Sequence, residues 1–102
     1  MSGSTSLYEG LLDAAYALDE QAGGRQPERA RLLAGAITLD TLFRRGALER
    51  DLQDAALGLE RLATQGAWEL DGAGRMRAAE LAVRVRLLAS SRFAGEAEDG
   101  AQ

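Results

Sequence analysis

An all-α fold of four helices packed as a bundle is what this chain predicts, and three observations carry that expectation. Twenty of the 102 residues are alanine and 17 are leucine, against two valines and one isoleucine, so helix propensity is high and β-propensity weak throughout. Apolar residues recur at three- and four-residue steps in four stretches of the chain, the period of an amphipathic helix. Glycine, proline and turn-forming clusters separate those stretches.

The first helix is expected over 6–22. Ser6 and Glu9 have capping-box spacing, and Leu7, Leu11, Ala14, Ala15, Leu18 and Ala22 form its apolar stripe, with Leu12, Tyr8 and Tyr16 outside it. Gly23 and Gly24 stop it. The second is expected over 27–45, opening on Pro27 and Glu28 and closing on Arg44, Arg45 and Gly46. It is apolar on two sides: Leu32, Ala36, Leu39 and Phe43 on one, and Ala30, Leu33, Ala34 and Ile37 on the other. Asp40 is the single charge in its central run, with Arg44 placed one turn on as its partner. The third, over 47–65, carries the seam Leu48, Leu52, Ala55, Leu59 and Leu62, with Leu57 pointing away. A connector with Trp68 and Asp71-Gly72-Ala73-Gly74 leads to the fourth helix, over 74–93. The domain then spans 6–93, with disorder expected in 1–5 and in the acidic tail 94–102.

The fourth helix is the most informative. Ala78, Leu81, Ala82, Val85, Leu88 and Ala89 form one apolar stripe, and Met76, Val83 and Leu87 form a second on nearly the opposite side. Arg75 and Arg86 border the two stripes on one flank, Arg77 and Arg84 on the other, and Glu80 is spaced to pair with Arg84. A helix in a small bundle needs one apolar face. The surplus is expected to be an interface, most simply with a second copy across a two-fold axis.

Composition narrows the chemistry. The chain has no cysteine, histidine, lysine or asparagine, and all 12 basic residues are arginine. Thiolate and imidazole ligands, Schiff-base lysines and P-loop lysines are therefore excluded. The alanine, leucine, glycine and arginine bias is that of a GC-rich bacterial genome. Net charge is −4 overall, and acidic and basic segments alternate: −4 over 1–24, +3 over 25–50, −4 over 51–74, +4 over 75–93 and −3 over 94–102. In an antiparallel bundle that alternation places opposite charges on neighbouring helices. No signal-type block opens the sequence and no apolar run reaches membrane-spanning length, so a cytoplasmic location without membrane partner is expected.

Function classes separate on the same residues. The stretch from Thr38 to Leu59, with Gly46 at its turn, has a helix-turn-helix look, yet its second helix presents Glu49, Asp51, Asp54 and Glu60, which phosphate repels. Catalysis would rest on carboxylates alone, such as Glu9 with Asp13 or Asp51 with Asp54, all on polar faces. No catalytic, cofactor or metal site is therefore expected. Trp68 reads either as a lid over the core or as an anchor for a partner. The string Tyr16-Ala17-Leu18-Asp19-Glu20 resembles the small secreted helical-hairpin proteins of the WXG class, but Trp68-Glu69-Leu70 lacks the glycine of their turn. Gly24 to Ala56 is loosely similar to helical accessory domains of phage and plasmid primases, through small and aliphatic residues only. Neither resemblance assigns a family.

The expectation is thus a non-enzymatic, cytoplasmic helical interaction or regulatory module. It is expected to form a homodimer, or to bind a partner helix, through Met76, Val83, Leu87, Arg77, Arg84 and Trp68. A nucleic-acid-associated regulator using the arginines of the second and last helices is the alternative.

Overall fold

A computed structural model describes residues 7–46, 48–66 and 71–92, with Arg92 defined in its backbone only. The expected disordered ends 1–5 and 94–102, the capping residue Ser6 and the connector residue Trp68 lie outside the described residues. The described residues form four α-helices and no strand: α1 Leu7–Ala22, α2 Arg29–Arg44, α3 Arg50–Gln65 and α4 Gly72–Arg92. They build an all-α bundle in which α1 is central, packed against α2 on one side and α4 on the other. Helix α3 lies chiefly on α2 and only grazes α4 and α1.

The core follows the apolar seams. Leu11, Ala14, Ala15 and Leu18 of α1, all five residues of the Leu48-to-Leu62 seam, and all six of the Ala78-to-Ala89 stripe of α4 are buried. In α2 the buried set is Leu32, Gly35, Thr38, Leu39 and Leu42. Phe43, expected beside Leu39, is half exposed. Leu42 is buried in its place, and Phe43, about 100° further round, turns towards α3, where it lines a cleft with Leu57.

Small residues let α1 and α2 approach closely. A Cβ on Gly35 would sit 2.5 Å from the Cα of Ala14, and one on Gly10 would meet the Thr38 side chain. The buried Thr38 hydroxyl donates back to the Ala34 carbonyl at 2.8 Å. Among the described residues no buried side-chain nitrogen or oxygen lacks a hydrogen-bond partner, as a well-formed core requires.

Three helix starts differ from those the sequence suggests. Helix α2 begins at Arg29, two residues late, because Glu28 is extended (φ −64°, ψ 132°) and serves as the N-cap. Helix α3 begins at Arg50 for the same reason at Glu49 (ψ 153°), so Leu48 enters the core from the connection. Helix α4 begins earlier, at Gly72: Asp71 Oδ1 accepts a hydrogen bond from the Gly74 N–H at 2.7 Å, a side-chain N-cap that draws the glycines into the first turn. The end of α1 is a Schellman turn, with Arg25 N–H donating to Glu20 C=O and Gly24 N–H to Gln21 C=O. Its φ of +77° at position 24 suits glycine.

Candidate functional site

The candidate site is the outer face of α4. The inner seam of this helix is buried, while Met76 (72% exposed), Val83 (56%) and Leu87 (63%) stand along its far side. The two stripes read from the sequence are therefore physically distinct. One is core, and the other is covered by no described residue of the chain.

Arginines fix how this face is presented. On the α3 flank, Arg77 reaches Asp54 at 3.3 Å and Glu80 at 3.6 Å, and Arg84 reaches Asp51 at 3.0 Å. The pairing of Arg84 with Glu80 suggested by spacing is not formed, because Asp51 of α3 offers a cross-helix partner and Glu80 turns back one turn to Arg77. On the α1 flank, Arg86 pairs with Asp19 and Arg75 donates from Nε to the Ala22 carbonyl at 3.0 Å. The hydrogen bond that Arg86 donates to the Asp19 carboxylate holds the guanidinium above its already high ordinary pKa. Alternating segment charge thus resolves into pairs inside the bundle. Each is exposed and worth about 0–1 kcal/mol, so these pairs orient α4 more than they stabilise it.

Shallow hollows border the apolar ridge. One is edged by Arg77, Glu80, Val83, Arg84 and Leu87. The next, of about 300 Å³, is edged by Arg84, Leu87, Leu88 and Ser91 with the N-cap Glu49 and Leu52 of α3. The first lies on α4 alone, and the second lies where α4 and α3 make only slight contact. Glu49, Leu52, Leu88 and Ser91 were not among the expected site residues; for Leu88 and Ser91 the signal is the spacing of 84, 87, 88 and 91, a four-residue diamond on one helix surface, and for Glu49 and Leu52 the sequence carries none.

A second, smaller apolar region lies on the α2/α3 side. Ile37 (66% exposed) and Leu57 are prominent there, and a cleft of about 120 Å³ is lined by Asp40, Phe43, Gln53, Ala56, Leu57 and Glu60. Asp40 accepts from Arg44 Nε at 2.8 Å, the partner expected from spacing. Of the carboxylate pairs considered, Asp51 and Asp54 hold arginines of α4. Among the described residues no group of three Asp, Glu, His or Cys side chains is placed to hold a metal ion, and no helix is long and apolar enough to cross a membrane.

No protein-family model, curated protein or solved structure matches this chain.

Proposed function

We propose that this chain is a non-enzymatic, cytoplasmic interaction module whose working surface is the outer face of α4, and that the partner is a second copy of the same chain. The observation that carries this reading is the exposure of Met76, Val83 and Leu87 along one ridge of a helix whose other side is already the core. Covering such side chains is worth about 1.5–3 kcal/mol each, whereas association costs about 4–15 kcal/mol in lost freedom and ordering. One set of three barely offsets that cost. A two-fold contact buries the set twice, and two-fold pairing is the commonest form of self-association. The flanking Arg77 and Arg84 form the polar rim, and their carboxylate partners hold them beside the ridge.

The nucleic-acid alternative draws no support from the arginines of α4. Arg75, Arg77, Arg84 and Arg86 divide between two flanks of α4, each engaged by a neighbouring helix, so no set of them forms one phosphate-facing stripe.

Sedimentation of the purified chain at up to about 100 µM tests the proposal. The expected result is twice the monomer mass for the parent chain and monomer mass for Val83→Glu, with helicity unchanged. A parent chain that stays monomeric overturns it.

A further inference from the structure

The outer face of α4 also carries a register. Its two hollows each contain four edging residues at the i, i+3, i+4, i+7 spacing: Glu80, Val83, Arg84 and Leu87 in one, Arg84, Leu87, Leu88 and Ser91 in the next. A diamond of this kind receives one side chain of a neighbouring helix in knobs-into-holes packing. Hollows one turn apart need two knobs one turn apart. Met76 and Glu80 supply that spacing: Met76 is the most exposed large apolar side chain described, and Glu80 is the sole carboxylate of α4.

Resting on the self-association proposed above, we infer that two copies pair their α4 helices antiparallel about a two-fold axis near Ala82. Met76 of each copy seats in the hollow edged by Arg84, Leu87, Leu88 and Ser91 of the other. Glu80 enters the adjacent hollow and meets Arg84 of the other copy.

Length and charge select this arrangement. Helix α4 runs from Gly72 to Arg92, so its midpoint is Ala82, and an antiparallel pair centred there overlaps along the whole helix. A parallel pair sets Glu80 against Glu80 and Arg84 against Arg84, which repel. An antiparallel pair centred on Val83 places Met76 opposite Ser90 and Glu80 opposite Arg86, neither of which edges a hollow. Centring further along, so that Val83 and Leu87 fill the hollows, carries Met76 past the end of the described helix. In the register proposed, Arg84 bridges Asp51 of its own chain and Glu80 of the other, so the contact to α3 that shapes the hollow is retained.

The chain has no cysteine, so an introduced thiol is unique. Met76→Cys and Leu87→Cys proteins are oxidised separately and as an equimolar mixture, beside sedimentation of the parent chain. The mixture is expected to give disulfide-linked dimer about tenfold faster than either variant alone, because like positions lie roughly 16 Å apart along the helix axis. If each variant links to itself and the mixture gives no more, the helices run parallel; the register is then overturned while self-association stands. A parent dimer with no linkage in any combination overturns the register too. A parent chain that remains monomeric at about 100 µM, where even a weak complex forms, overturns register and proposed function together.

Discussion

The guanidinium of Arg31 lies over the ring of Tyr16, 4.7 Å from its centroid. Arg86 approaches the same ring at 5.6 Å, so a tyrosine on α1 is reached by arginines from α2 and α4. Tyr16 falls outside the core stripe and is half exposed, yet its ring is a junction of three helices. This distinguishes it from Met76, Val83 and Leu87, which are all more exposed. Replacing Tyr16 with alanine removes two cation–π contacts of about 0.5–1 kcal/mol each at an exposed site, together with ring packing. The expected result is a Tm lower by roughly 5–10 °C for a domain of this size, with Tyr16→Phe close to the parent. A thermal melt of the two variants checks it, and an unchanged alanine variant counts against the junction.

Two glycines on different helices should respond oppositely to alanine. At Gly35 the added Cβ would stand 2.5 Å from Ala14 Cα and 2.7 Å from Ala14 N, backbone atoms that cannot swing aside. The helices must separate, at a cost of about 1–3 kcal/mol for overpacking that outweighs the gain in helix propensity of about 1 kcal/mol. At Gly58, inside α3, nothing lies within 4 Å of the added Cβ, so only the propensity gain remains. Denaturant midpoints should fall for Gly35→Ala and rise for Gly58→Ala; a fall in both would show that α3 is constrained by contacts other than those described.

The contrast between these glycines also shows what a sequence can and cannot reveal in this fold. The seams of α1, α3 and α4 are legible because burial imposes a three- and four-residue period that composition alone does not mask. The outer stripe of α4 is legible for the same reason. Gly35 and Gly58 look alike as sequence, since the difference is the distance to a helix 21 residues earlier in one case and open space in the other. Choice of ion-pair partner is hidden similarly: Glu80 and Asp51 both suit Arg84 by charge, and the approach of α3 decides for Asp51. Phe43 and Leu42 are adjacent and both apolar, so the rotation of α2 about its own axis determines which is covered.

Asp71 sets where α4 begins. Its carboxylate accepts from the Gly74 N–H at 2.7 Å, and its carbonyl accepts the Arg75 N–H at 2.9 Å. Removing the side chain frees an amide at the positive end of the helix and leaves Gly72 and Gly74 to hold the first turn unaided. Asp71→Ala should cost about 1 kcal/mol, and Asp71→Asn much less, since asparagine caps as well as aspartate does. Amide exchange over 72–75 should quicken in the alanine variant, and equal exchange in both variants would refute the capping role.

Asp13 provides a pH test of how α1 is packed. Burial raises its carboxyl above the ordinary value; Arg31 opposes that shift, while Glu9 and Glu28 add to it. The folded chain therefore holds this proton more tightly than the unfolded chain does. The resulting stability is fully present below the unfolded value of about 3.9 and is lost as pH rises through the folded value. At neutral pH the charged carboxylate is a net burden on the fold. Asp13→Asn should accordingly have a higher urea midpoint than the parent at pH 7, with the gap closing as pH falls below the unfolded value. A variant less stable than the parent at pH 7 would mean that attraction to Arg31 outweighs burial and the like charges of Glu9 and Glu28.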